Sequence, residues 1–230
     1  MKPTKITERT YELTVNESPD ATVNMALIRG KLHNFLIDTG VGANSPLPLL
    51  EIIKDCQKPL IVINTHGDWD HVYGNCAFEN GVIVAHSLAR KKIDEGWEDA
   101  AKWVLEKGCI TDGEVRKVLP NVTFEDVMHF PEDGLTLFHT PFHTECCVSI
   151  YDRVDKILHI GDNFGFEDGK AYPWGKEVDA FHKVVNAYKQ YDFGTCLSGH
   201  SKPQTHGVIE MLENSLEPWQ EYWRKNSEAN

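Results

Sequence analysis

Positive charge, paired cysteines and long apolar runs are all scarce in this chain. Lys and Arg number 23 against 35 Asp and Glu, a formal net charge of −12. Nucleic-acid partners need basic patches to meet phosphate, so that class is set aside. No stretch approaches the roughly 18 consecutive apolar residues that span a bilayer, so no membrane protein is expected. No apolar segment follows Met1-Lys2-Pro3-Thr4-Lys5. No secretory leader is therefore expected, and the expected location is cytoplasmic. The six cysteines (Cys56, Cys76, Cys109, Cys146, Cys147 and Cys196) never fall at C-x-x-C spacing. In a reducing compartment they are expected to be free thiols packed as small hydrophobes, the adjacent Cys146-Cys147 included. Repeats, low-complexity tracts and linkers are missing too. The 230 residues, 41% hydrophobic, thus read as one domain, 1–230, with a substantial core.

Short apolar runs, by contrast, are plentiful. Thr10–Val15, Thr22–Arg29 and Leu32–Ile37 read as strands, the last two joined at Gly30-Lys31. A short helix is expected from Leu47 to about Asp55, with Ser45 as its N-cap and Pro46 in its first turn. The continuous run Leu60-Ile61-Val62-Ile63-Asn64 suits a strand buried on both faces. Further strands are expected at Val82–Ala85, Val122–Phe124, Leu135–Phe138, Val148–Tyr151, Ile157–Ile160 and Thr195–Leu197. The charged stretch at about 87–119 reads as a helical insertion, with Trp97, Ala100-Ala101 and Val104-Leu105 as its apolar stripe. Val178, Phe181, Val184-Val185 and Tyr188 recur at helical spacing, as do Val208-Ile209, Leu212, Leu216, Trp219 and Tyr222-Trp223. Strands and helices interspersed in this way predict an α/β domain of sheets covered by helices.

Four of the apolar runs end in groups able to ligate a metal. Ile61–Asn64 leads into His66-x-Asp68-x-Asp70-His71, Leu135–Phe138 into His143, Ile157–Ile160 into Asp162, and Thr195–Leu197 into His200. Strand ends are where a rigid scaffold presents functional side chains. Imidazole with carboxylate suits zinc, iron and manganese alike.

These motifs resemble those of the metallo-β-lactamase superfamily, whose signature is H-x-H-x-D-H. Asp38-Thr39-Gly40 is similar to its early I-D-T-G turn, and Thr65–His71 to its metal motif. Thr140-Pro141-Phe142-His143-Thr144 resembles T-P-G-H-T, Ile160-Gly161-Asp162 the G-D element, and Ser198-Gly199-His200 the final G-H. The resemblance implies a four-layer αββα sandwich of two mixed β-sheets flanked by helices. It implies two divalent metal ions, with zinc the first expectation. His66, Asp68 and His143 would hold one ion, Asp70, His71 and His200 the other, and Asp162 would bridge them. It further implies a metal-bound hydroxide as nucleophile, Asp70 as the group that orients water and moves a proton, and Asp38 as a hydrogen-bonding brace for the metal loop.

Asp68 departs from the family pattern, which has histidine there. A third carboxylate lowers the net charge of the metal pair and favours iron or manganese. The resemblance extends here to the diiron flavoproteins, which carry glutamate at that place. The leading expectation is a metal-dependent hydrolase of a small ester, thioester, lactone or amide-like substrate. The alternatives are a di-iron or manganese redox protein and a non-catalytic metal-dependent sensor. Trp69, Phe142, Phe164 and Trp174 are candidate pocket residues, the last two in or beside the aromatic stretch 165–175. The insertion at 87–119 would form the opposite wall or a homodimer contact. His86 and His139 lie near the motif loops. His33, His129, His159, His182 and His206 match no motif and read as structural or exposed.

Overall fold

A computed structural model of the chain describes residues 1–227. The N-terminal strands form an antiparallel meander of β1 (Thr4–Lys5), β2 (Thr10–Asn16), β3 (Thr22–Arg29) and β4 (Asn34–Ile37). The chain then crosses over through α1 (Leu47–Leu50) to β5 (Leu60–Ile63), which lies parallel to β4. Crossovers carrying α2 (Trp69–Val72) and α3 (Ser87–Lys107) add β6 (Val82–His86) and β7 (Val122–Phe124), again in parallel. Among the described residues this sheet runs in the order β1 to β7.

A second sheet begins with β8 (Val127–Phe130), β9 (Leu135–His139), β10 (Val148–Asp152) and β11 (Ile157–His159), each antiparallel to the one before. The hairpin β12 (Phe164–Glu167) and β13 (Lys170–Pro173) and then α4 (Val178–Tyr188) follow. The chain returns as β14 (Thr195–Leu197), parallel to β11, and ends in α5 (Val208–Asn214) and α6 (Leu216–Ser227).

Alternation along the strands sorts side chains into layers. Ala26 and Ile28 of β3, and Ile61 and Ile63 of β5, face inward with Leu135, Leu137, Val148 and Ile150 of the second sheet, filling the space between the sheets. Val23, Met25, Leu27 and Val62 face the other way, under Leu49 and Ile53. On the far side Leu158 and Cys196 pack under Phe181, Val184, Tyr188, Leu212 and Trp219 of the C-terminal helices. Burying each such aliphatic or aromatic side chain contributes about 1.5–3 kcal/mol, enough to fix the register of both sheets. The result is the expected αββα sandwich. The cysteines among the described residues are free, and Cys146 and Cys147 are buried at the head of β10. Among the described residues no helix is long and apolar enough to cross a membrane.

Some local expectations need correction. The helical stretch stops at Lys107, where Gly108 at φ 65° closes α3 with bonds to Leu105 and Val104. Residues 109–121 are irregular and are tied to the first loops, with Ile110 N donating to Glu17 O and Asp112 N to Val41 O. Ser45 does not cap α1; Pro46 takes that place, and the Ser45 side chain packs onto the Gly40 turn instead. The C-terminal stripe splits at Ser215 because the ring of Pro218 blocks the carbonyl of Asn214. The aromatic stretch 165–175 is mostly hairpin, turning at Asp168-Gly169 with φ 49° and 71°, the positive pair a two-residue turn requires.

Candidate metal centre

Strand direction gathers the motifs. β4 and β5 are parallel, so Asp38 and Thr65–His71 leave the first sheet at one end. β9, β11 and β14 run the same way in the second sheet, so His143, Asp162 and His200 follow their ends. Backbone bonds join the two sheets at this end, Val148 N donating to Thr65 O at 2.8 Å and Asn24 N to Gly199 O at 2.6 Å, while Gly199 N donates to Gly161 O at 2.9 Å within the second sheet's set.

Asp38 organises the metal loop. It is fully buried at φ 59°, a left-handed conformation that aspartate tolerates better than most residues. Its Oδ1 accepts Thr65 N at 2.7 Å, and its Oδ2 accepts Thr65 Oγ1 at 2.7 Å and His71 Nδ1 at 2.8 Å. Thr39 donates through both N and Oγ1 to His71 O, and the paired amides of Asn64 and Asn75 lie behind it.

Each of the four motif imidazoles is held from outside through Nδ1. Besides His71 on Asp38, His200 Nδ1 donates to Thr22 O at 2.6 Å and His143 Nδ1 to Trp174 O at 3.3 Å. His66 Nδ1 lies 3.0 Å from Thr65 Oγ1, whose own proton goes to Asp38. Carbonyl, carboxylate and hydroxyl acceptors keep a proton on Nδ1, so Nε2 is the nitrogen turned inward in every case.

Those inward atoms meet three carboxylates in two groups, His66, Asp68 and His143 in one and Asp70, His71, Asp162 and His200 in the other, with the ligand atoms of each group within 4.8 Å of one another. Asp162 Oδ2 lies 3.0 Å from His200 Nε2, 3.2 Å from His71 Nε2, 3.6 Å from His66 Nε2 and 4.0 Å from His143 Nε2, so it stands between the groups. Asp68 Oδ2 lies 3.1 Å from His143 Nε2 and 3.3 Å from His66 Nε2. Asp70 Oδ2 lies 3.2 Å and 3.3 Å from the Nε2 atoms of His71 and His200.

Burial opposes ionisation of these carboxyls, yet the adjoining imidazoles hold Asp68, Asp70 and Asp162 well below the usual carboxylate range. Burial likewise opposes charging His200, but Asp162 and Asp70 lift it to about 10. Among the described residues His66 Nε2, His71 Nε2 and Asp162 Oδ1 are buried with no hydrogen-bond partner. Four imidazole nitrogens converging on three carboxylates, with buried polar atoms among them left unpaired, fit divalent cations.

Gly199 shows how tightly the centre is packed. A Cβ there would overlap Asp162 Oδ1 and lie 2.8 Å from His71 Cε1.

Other positions divide between supporting and remote roles. Trp69 lines a cavity of about 310 Å³ between α2 and α3, together with Tyr73, Trp97, Trp103 and Lys92, and with Asp68 and Asp70 at its edge. Trp174 packs its ring 5.3 Å from that of His200 and also lines a larger cleft, about 1010 Å³, between the β12–β13 hairpin and α5–α6. Phe142 and Phe164 are not pocket walls; both are buried against Phe181 in the core behind the centre. His86 accepts Leu88 N to cap α3 and stacks on His139 at 3.9 Å. His159 is buried, which pushes its pKa down to about 4.

Three contributors have no counterpart in the motifs. Lys92 of α3 forms an ion pair with Asp68 Oδ1. Glu17 faces Asp70 and lies 3.7 Å from His200 Nδ1; burial, with Asp70 beside it, lifts its carboxyl to about 7. Asn163 accepts His143 N at 3.1 Å while donating to Thr140 O and Tyr188 Oη, fixing the His143 loop. Its place beside Asp162 was the readable signal.

Two stacked mixed sheets between helical layers, with histidines and aspartates converging at one end, define a protein of the metallo-β-lactamase fold. The chain belongs to the metallo-β-lactamase superfamily, whose family model matches residues 19–213. It is similar to the acyl-coenzyme A thioesterase MBLAC2 of Homo sapiens, 26% identical over 172 residues, which cover 66% of this chain and 61% of that protein. The Gallus gallus MBLAC2 matches at 26% over 169 residues, covering 66% and 60%. The chain thus spans about three fifths of these relatives' length. Among solved structures, the DIM-1 metallo-β-lactamase superposes with a TM-score of 0.73 at 15% identity, over 96% of this chain and 97% of that one. The metallo-β-lactamase from Pontibacter korlensis gives 0.68 at 22%, over 95% and 98%.

Proposed function

We propose that this chain is a two-metal hydrolase of thioesters or related small esters. The observation that carries the reading is the convergence of four inward imidazole Nε2 atoms on three carboxylates, with buried polar atoms among them left unpaired. His66, Asp68 and His143 would hold one cation, Asp70, His71 and His200 the other, with Asp162 shared. Divalent cations there would polarise a carbonyl and make water nucleophilic near neutral pH. Asp70 stands at the edge of the aromatic cavity, placed to orient the attacking water and to carry a proton to the leaving group. Asp38 and Thr65 keep the His66 and His71 rings in one tautomer and orientation.

The cavity walled by Trp69, Tyr73, Trp97 and Trp103 would take the apolar acyl part of the substrate, so α3 serves as a wall. The thioester preference draws on the similarity to proteins named acyl-coenzyme A thioesterases. The redox reading rested on the extra negative charge of Asp68, and the ion pair with Lys92 offsets it.

Zinc-loaded protein should release thiol from a series of short to medium acyl thioesters and stop when chelated. Asp70→Asn, assayed with enough zinc to keep two equivalents bound by elemental analysis, should lower kcat at least about a hundredfold, within the range of lost acid–base catalysis. Protein that takes up no stoichiometric metal, or loaded protein inert across thioesters, esters and lactones, sinks the reading.

A further inference from the structure

Asp68 is the one motif position at which this chain departs from the histidine of the H-x-H-x-D-H signature it resembles. Its two oxygens do different things. Oδ2 faces His66 Nε2 at 3.3 Å and His143 Nε2 at 3.1 Å. Oδ1 points away and pairs with Lys92 Nζ. Lys92 comes from α3, 24 positions further along the chain, and its stem lies over Gly67, where a Cβ would meet Lys92 Cβ and Cδ at 3.3 Å and Ala89 O at 3.2 Å. Gly67 thus leaves the room that brings α3, and its ammonium, onto the metal loop.

We propose that Asp68 and Lys92 act together as a neutral ligand unit that replaces the histidine, with Lys92 as the positioning residue. The inference rests on the two-metal reading above. Two physical effects support it. A carboxylate alone can rotate and present either oxygen, whereas an ammonium on Oδ1 leaves only Oδ2 for the centre, as a hydrogen-bonded partner orients any metal ligand. A third carboxylate beside Asp70 and Asp162 also adds repulsion that imidazole would not. With Lys92 counted, two divalent cations and three carboxylates carry the same net charge as two cations with the usual two carboxylates.

The test is a competition titration of metal-free protein with zinc, read as the affinity of each equivalent, in wild type, Lys92→Met, Lys92→Arg, Asp68→His and the double variant Asp68→His/Lys92→Met. Lys92→Met should weaken the equivalent held by His66, Asp68 and His143 about 10–100-fold, the usual effect of removing a group that orients a ligand. Lys92→Arg should restore most of it. In the Asp68→His background the sign should reverse: a cation with no carboxylate to neutralise repels the metal, so removing Lys92 should tighten binding. A general structural role of Lys92 would shift both backgrounds the same way. Unchanged or tighter binding by Lys92→Met alone, or equal effects in the two backgrounds, overturns the inference. Wild type that takes up no zinc overturns the two-metal reading, and this inference with it.

Discussion

The two halves of the centre are built to different standards of enclosure. The half around Asp70, His71, Asp162 and His200 lies deeper: the His71 side chain is fully buried, those of Asp70 and Asp162 are 8% and 6% exposed, and that of His200 is 17% exposed. Its rings are anchored by a buried carboxylate and by a strand carbonyl, at 2.8 Å and 2.6 Å. In the other half only His66 is fully buried, while the side chains of Asp68 and His143 are 28% and 24% exposed. Their anchors are an ammonium on a surface helix and the Trp174 carbonyl at 3.3 Å. Enclosure therefore tracks the motif. The half whose ligand types match the family pattern is braced by the sheets, and the half that carries the exception is braced by α3 and by the segment after β13.

The comparison breaks first at Gly199. An added Cβ there would overlap Oδ1 of Asp162, whose other oxygen stands between the two halves, and would press on the buried His71 ring. Gly199→Ala should cost about 3 kcal/mol in stability, at the upper end of overpacking effects, and about a hundredfold in affinity for both metal equivalents. Thermal unfolding and zinc competition read the two effects. Gly194→Ala, where nothing lies within 4 Å, should do neither and serves as control. Equal behaviour of the two variants would show that the centre is less tightly packed than these contacts require.

Asp38→Asn should come next. Asparagine keeps the left-handed backbone, but it removes the charge that accepts Thr65 and His71, a loss of about 2 kcal/mol. Affinity should fall roughly tenfold or more for the enclosed half. The open half should change less, because only His66, through Thr65, depends on Asp38. Equal weakening of both equivalents would contradict the division.

The sequence made the enclosed half legible and the open half much less so. β3, β7, β14 and α4 fall where the apolar runs and the helical spacing place them. The candidate ligands were legible because their side-chain types stand just past the ends of β5, β9, β11 and β14. The ends of α3 and of the β12–β13 hairpin were marked by Gly108 and by Asp168-Gly169, local signals that an overall reading of the stretches passed over. Lys92 carried no local signal. It sits in a charged run beside Lys91, and its selection depends on the approach of α3 to Gly67, a tertiary fact. Phe142 stands where the family motif has glycine, suggesting a ring free to line a pocket, yet Phe164, Phe181 and Trp219 close around it.

The smallest effect is kinetic. A chelator reaches a protein-bound metal by displacing ligands one at a time, so the ligands it can touch set the rate. Asp68 and His143 are accessible, and the His143 anchor is the longest of the four, whereas His71 and Asp162 can leave only if the loops behind them move. Loaded protein mixed with excess chelator should therefore lose zinc in two phases of equal amplitude, the faster exceeding the slower by about tenfold or more, a gap of roughly 1.4 kcal/mol in barrier. His143→Ala should abolish the fast phase and leave the slow one nearly unchanged. A single phase in wild type, or loss of the slow phase in His143→Ala, would mean that metal exchange follows some path other than the exposure of these side chains.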